Sequence, residues 1–473
     1  MGKFKVGNYI EERYKIKKFL SKKKVQKASL VLLCWDREKE KEVVLKTYKP
    51  KYKDDPEVVD LFKQKALKWI LLKNTSHISE VVSLRYLEKQ YFIIFKYISP
   101  DKQQRNTLKQ HIQKVLPKKL ILKWCLELCE GMINARKRGI LAHRDIKPSN
   151  IMIDSTKTLM ISDFGIAQVR KKILTDLLNY ERENSDDKKI SFLIQKRRED
   201  IIVGSPSWMA PETFEAHYSV RSDIFSFGVV MYQMLNQGAL PFSKQTVRGY
   251  HLQMDSAQEN QIQKHLYPII KKCLQKKPEK RYNSFKELRE ELKTICERKL
   301  RTHPPPPQKK PEITFKQLFQ YGISYHTLGL FTKALDYYKE CLARSSQQVD
   351  PYRKITELFL DLGEPQNALK YLRKGLKKFP ADLTLTFLYS KLLIKQQKFK
   401  EATTKLKQIL NIKPQHIDAY NLLGKAYYMD GQFKNALTTF QTLIEEAPSI
   451  HNNVKEQAKI FITKIKNKNK MKK

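Results

Sequence analysis

The sequence predicts two unlike folded units in one chain, an α+β domain followed by an all-α solenoid. Short apolar runs such as Val43-Val44-Leu45 and Tyr91-Phe92-Ile93-Ile94-Phe95 read as strands in the first part. The run Pro304-Pro305-Pro306-Pro307, with Pro311 close behind, favours an extended spacer through which no helix can pass. Beyond it Ala334, Ala368, Ala402 and Ala436 recur every 34 residues, the period of stacked helical pairs. The resulting division is a first domain over 9–298, a Pro/Lys-rich linker over 299–314, four repeats over 315–450, and a capping helix with a basic tail over 451–473.

Composition bounds the function. At 473 residues the chain exceeds one core, and 41% hydrophobic residues supply enough material for two. No apolar run approaches the ~20 residues a bilayer crossing needs. Met1-Gly2-Lys3-Phe4-Lys5-Val6 lacks the apolar core of a signal peptide, and Val6 stands where a myristoylation site wants Ser or Thr. The six cysteines include no CxxC pair and read as buried free thiols in a reducing compartment. A soluble, cytoplasmic protein with no transmembrane segment is expected. The formal charge of +43 comes mostly from dispersed lysine, and no nucleic-acid-binding motif accompanies it. Acidic peptides or anionic surfaces fit that charge better than a specific nucleic acid.

The chemistry sits in His143-Arg144-Asp145-Ile146-Lys147-Pro148-Ser149-Asn150, followed by Asp163-Phe164-Gly165. Phosphoryl transfer needs a carboxylate to orient the attacking hydroxyl, a cation beside the transferred phosphate, and an amide and second carboxylate on Mg²⁺. The run resembles the eukaryotic protein kinase family. That resemblance implies a bilobal protein kinase fold, ATP and Mg²⁺ as cofactors, and a protein substrate. It assigns Asp145 as base or orienting carboxylate, Lys147 to the phosphate, and Asn150 and Asp163 to the metal. Lys147, two residues after Asp145, is the serine/threonine pattern.

The family's other parts fall in order. Val43-Val44-Leu45-Lys46 resembles its strand ending in a phosphate-binding lysine, Lys46. Phe95 would be the gatekeeper, with Lys96, Tyr97 and Ile98 offering backbone groups to adenine. Gly204-Ser205-Pro206-Ser207-Trp208-Met209-Ala210-Pro211-Glu212 resembles the substrate-seating segment, whose Ser205 could bond Asp145 and Lys147. The resemblance pairs Glu212 with Arg281 and sets Asp223 under the catalytic loop, both in structural roles.

Two features depart from the family. The glycine-rich loop positions hold Ser21, Lys23 and Gln26, without the close approach that glycine allows. No Glu occurs between Val58 and Ser79; Lys65 occupies the place of the helix glutamate and would repel Lys46. An active Ser/Thr kinase and a pseudokinase scaffold with weak or no catalysis are therefore both readings of this chain. The stretch from Asp163 to Glu212 is long for an activation segment, and residues 169–198 within it are strongly charged, with Thr175, Ser185 and Ser191 as candidate phosphoacceptors. Ile201 occupies the usual phosphosite, and Glu199-Asp200 are expected to substitute for a phosphate near Arg144.

After the linker, Gly329, Gly363, Gln397 and Gly431 precede each alanine by five residues, and Tyr338, Leu372, Leu406 and Phe440 follow by four. Pro380, Pro414 and Pro448 end three of the repeats. The register resembles the tetratricopeptide (TPR) repeat, which implies a groove for a protein or peptide ligand.

Overall fold

A computed structural model describes residues 4–21, 29–164, 206–215, 217–242, 266–300, 312–446 and 452–470. The chain divides into two compact units, Met1–Ile313 and Thr314–Lys473.

The first unit opens on a six-stranded antiparallel sheet: β1 (Tyr9–Ile10), β2 (Tyr14–Phe19), β3 (Ser29–Asp36), β4 (Lys41–Tyr48), β5 (Val81–Leu87) and β6 (Gln90–Lys96). Their order is β1-β2-β3-β4-β6-β5. Strand alternation decides where β4 sends its side chains. Val43 and Leu45 are buried in an apolar core with Ile16, Leu32, Phe92 and Ile94. Val44 and Lys46, one residue out of phase, take the opposite face. Phe4, ahead of the expected domain start at residue 9, joins that core with its ring 5.9 Å from Phe92.

Helix α1 (Pro56–Leu71) starts where Asp55 accepts from the N–H groups of Glu57 and Val58 and Pro56 presets the first turn. Its buried residues Phe62, Ala66, Trp69 and Ile70 follow helical spacing. A short helix α2 (Leu108–His111) precedes α3 (Lys118–Lys137), and α3 leads to the hairpin of β7 (Ile151–Ile153) and β8 (Leu159–Ile161). Helix α4 (Val220–Leu235) is buried over most of its length and capped by Ser219. Helices α5 (Tyr267–Cys273) and α6 (Phe285–Leu300) complete the described part of this unit.

The second unit is helical throughout its described residues. Its pairs are α7 (Phe315–Thr327) with α8 (Phe331–Arg344), α9 (Asp350–Asp361) with α10 (Pro365–Lys378), α11 (Leu383–Lys395) with α12 (Phe399–Ile412), and α13 (Ile417–Met429) with α14 (Phe433–Glu446). The four periodic alanines are fully buried, which explains their recurrence: a larger side chain would force each pair apart. The periodic glycines stand in left-handed turns, Gly329 at φ 76°, Gly363 at 72° and Gly431 at 77°; Gln397 takes φ 60° without being glycine. Helix α15 (Asn452–Lys470) covers the last repeat, with Phe461 stacked on Phe440 at 5.2 Å. Buried Ile465 anchors its final turns. Among the described residues no helix is long and apolar enough to cross a membrane.

Candidate active site

The loop between α3 and β7 is fixed from beneath. Asp223, buried on α4, accepts from the backbone N–H of His143 at 2.6 Å and of Arg144 at 2.8 Å. Burial pushes its carboxyl up to about 7, against the pull of those two donors. His143 is wholly buried, and burial lowers its imidazole to about 4. Its Nε2 bonds the Ser162 carbonyl at 2.9 Å, while its Nδ1 accepts from the Asp145 N–H at 3.2 Å. Arg144 holds φ 72°, a left-handed conformation uncommon outside glycine.

This support presents Asp145. Its carboxylate accepts from Lys147 Nζ at 2.7 and 2.9 Å and from Asn150 Nδ2 at 2.8 Å. Asn150 Nδ2 also bonds the Asp145 carbonyl, so the amide oxygen is left facing away from these contacts. Three of the expected site residues therefore form one cluster, with Asp145 and Lys147 side chains each only 10% exposed.

Asp163, after β8, is the fourth. It holds φ 68°, and its carboxylate pairs with Lys46 from β4. The sequence supplied no acidic partner for Lys46 on α1, and the geometry finds one on the catalytic side instead. Lys65 lies half-buried on α1. The paired strand register, Val43↔Lys96 through Lys46↔Ile93, leads β6 directly into the expected hinge. There Lys96 N–H donates to the Glu80 carbonyl at 3.0 Å and the Ile98 carbonyl accepts from Asn106 Nδ2 at 2.9 Å. These two bonds use the Lys96 N–H and the Ile98 carbonyl, and not the Lys96 carbonyl or the Ile98 N–H.

An aromatic column joins the two lobes. His143 and Phe164 lie 4.4 Å apart, Phe164 and Trp69 5.5 Å, and Trp69 and Phe95 5.0 Å. It ties the catalytic loop, the Asp163 segment, α1 and the expected gatekeeper into one packed series. The column was not read from sequence, although the apolar spacing of α1 marks Trp69 as inward-facing. Arg144 rests over the Tyr218 ring at 5.5 Å, and Lys68 on α1 is lowered from its usual value by burial and by the charge of Arg144. A small cleft beside Asp145 is walled by Arg144, Trp208, Met209, Tyr218 and Asp223. Below it Arg281, fully buried, donates to both Glu212 oxygens at 2.8 and 3.0 Å.

Lys23, Gln26, Gly165, Gly204 and Ser205 lie outside the described residues. So do Thr175, Ser185, Ser191, Glu199, Asp200 and Ile201, with the charged stretch 169–198.

Residues 27–292 match the family model described as the protein kinase domain, more than half of the chain. Residues 318–348 and 393–455 match models of the tetratricopeptide repeat. A probable serine/threonine-protein kinase of Clostridium acetobutylicum is 26% identical over 298 residues, covering 61% of this chain and 41% of that protein. The serine/threonine-protein kinase PknB of Mycobacterium tuberculosis is 27% identical over 211 residues, covering 43% of this chain and 29% of PknB. The chain thus spans less than half the length of these curated relatives. The crystal structure of the Mycobacterium tuberculosis PknI kinase domain aligns with 61% of this chain and 98% of its own, at 19% identity and a TM-score of 0.40. On the match over residues 27–292, this chain belongs to the protein kinase family, and tetratricopeptide repeats follow its kinase domain.

Proposed function

We propose that the chain transfers the γ-phosphoryl group of Mg·ATP to Ser or Thr hydroxyls of protein substrates. The observation that carries this reading is the Asp145 carboxylate held by Lys147 and Asn150, with Asp163 paired to Lys46 nearby. The oxygen donors of Asn150 and Asp163 suit Mg²⁺, a hard cation that takes one or two protein ligands and completes its shell with phosphates and water. Bound there, Mg·ATP supplies the electrophilic phosphoryl group and neutralises charge at the transferred oxygens.

The chain's own residues do the rest. Asp145 accepts a hydrogen bond from the substrate hydroxyl and takes its proton as the oxygen attacks. Lys147 places a fixed positive charge beside that carboxylate, where negative charge develops on the phosphoryl oxygens. Asn150 keeps the Asp145 carboxylate from rotating. Lys46 contributes a cation to the nucleotide phosphates, and Asp163 fixes its direction. Lys96, Tyr97 and Ile98 offer backbone groups to the base. Because Lys46 has a carboxylate partner, the missing helix glutamate does not by itself favour the pseudokinase reading.

The repeats are the module for a protein or peptide partner, recruiting substrates or regulating the kinase. A cytoplasmic signalling role is consistent with six buried cysteine thiols. The test is phosphate incorporation from labelled Mg·ATP by the purified chain, compared with its Asp145→Asn variant.

A further inference from the structure

The Ile98 carbonyl, in the segment expected to meet adenine, is held by a side chain from outside that segment. Asn106 Nδ2 donates to it at 2.9 Å, across eight positions of sequence. A carbonyl only accepts, so the amide nitrogen is the end of Asn106 turned toward Ile98. Loop asparagines more often bond backbone groups two to four residues away, closing their own turn. This one reaches back into the segment that follows β6.

Asn106 is itself anchored on the other side. Its N–H donates to Gln110 Oε1 at 3.0 Å, in the cap of α2. Its carbonyl accepts from the Ile153 N–H at 3.0 Å, and Thr107 forms an isolated antiparallel bridge with Met152. Ile153 and Met152 belong to β7, the strand that begins straight after Asn150. Ahead of Asn106, the Asp101 carboxylate takes Arg105 at 2.9 Å and Lys157, from the turn between β7 and β8, at 2.8 Å. Hydrogen bonds therefore run from Ile98 through Asn106 to the strand that follows Asn150, and a second tie through Asp101 braces the same loop.

We infer that Asn106 is a positioning residue of the nucleotide site: its side-chain amide fixes the Ile98 carbonyl and so holds the base-binding segment at a set distance from Asn150. Asn106 acts through Ile98 and carries no part of the phosphate chemistry, so the inference rests on the ATP site proposed above but not on transfer itself. Its contribution is preorganisation, which shows as affinity for the base of ATP and not as rate of transfer.

The test uses the full chain and displacement of a fluorescent ATP analogue by Mg·ATP and, separately, by Mg·tripolyphosphate, which has the phosphates without the base. Asn106→Ala removes the donor and is expected to weaken Mg·ATP about fivefold. Asn106→Asp keeps the size but sets a carboxylate oxygen against the Ile98 carbonyl, and is expected to weaken it about tenfold. Asn106→Ala carries the test should Asn106→Asp fail to fold. Asn106→Ala is expected to leave Mg·tripolyphosphate within about twofold, and to raise KM for ATP about fivefold while kcat changes less than about twofold. Gln103→Ala, exposed in the same loop, is expected to change the affinity for either ligand less than about twofold. Equal weakening of ATP and tripolyphosphate by Asn106→Ala would overturn the proposal, because a general disturbance of the cleft would then explain it. So would unchanged ATP affinity, or no ATP binding by the folded wild type. A selective loss of ATP affinity in a chain that transfers no phosphate would support the role of Asn106 and contradict the function proposed above.

Discussion

The Lys46 ammonium reaches across the cleft to the Asp163 carboxylate, so a strand of the sheet and the segment after β8 are joined by one ion pair. Both side chains are largely shielded, at 18% and 30% exposed, and the pair is therefore less screened than a surface bridge. Lys46→Met removes the cation while keeping a side chain of similar length. Phosphate transfer is expected to fall by about 100-fold or more, with the melting transition of the kinase domain little changed. A labelled-ATP assay beside a thermal melt checks both.

Arg281 and Glu212 give a prediction about stability. Burial works against the Glu212 charge, but the hydrogen bonds and charge of Arg281 hold its carboxyl below the usual range. Arg281→Met leaves that carboxylate without its main partner and is expected to cost about 3–5 kcal/mol. Trp35, Trp69, Trp124 and Trp208 all precede the repeats, so tryptophan fluorescence in denaturant reads the kinase domain selectively.

Gln397 can be improved. It takes the left-handed turn that glycine occupies in the other three repeats. Gln397→Gly is expected to stabilise the repeats by about 1 kcal/mol, seen as a later helical transition by circular dichroism. The converse change, Gly431→Gln, is expected to cost a similar amount.

The paired shifts at His143 and Asp223 predict a pH signature. His143 is lowered to about 4 from 6.5, so the unfolded chain binds the extra proton between those values and stability falls as pH drops through that window. Asp223 is raised to about 7 from 3.8, so the folded chain binds the extra proton and stability falls as pH rises over 4 to 7. The two slopes oppose each other and leave the wild type nearly flat from pH 4 to 6.5. His143→Phe, which retains a ring against Phe164, unmasks the Asp223 slope. Relative to wild type its stability is expected to decline by up to about 1.4 kcal/mol per pH unit over that range, measured by denaturant midpoints.

Asp145, Lys147 and Asn150 were legible in the sequence because they lie within one loop and their spacing alone brings them together. The repeats were legible because buried alanines and left-handed turns force a residue type at a fixed period. What sequence did not show depends on contacts between distant segments. Lys46 lies 117 positions from Asp163, and nothing local marks that pair. The occupied Lys96 and Ile98 groups depend on Glu80 and Asn106, which carry no motif of their own.

We propose that Asp145, held by Lys147 and Asn150, carries phosphoryl transfer at a site where Lys46 is paired with Asp163. The most direct test is incorporation of labelled phosphate from Mg·ATP into the chain itself and into a basic protein substrate, with wild type and Asp145→Asn side by side. Incorporation on Ser or Thr by the wild type and loss of at least about 100-fold in the variant are expected. Equal incorporation by both folded proteins, or none by either, would contradict it.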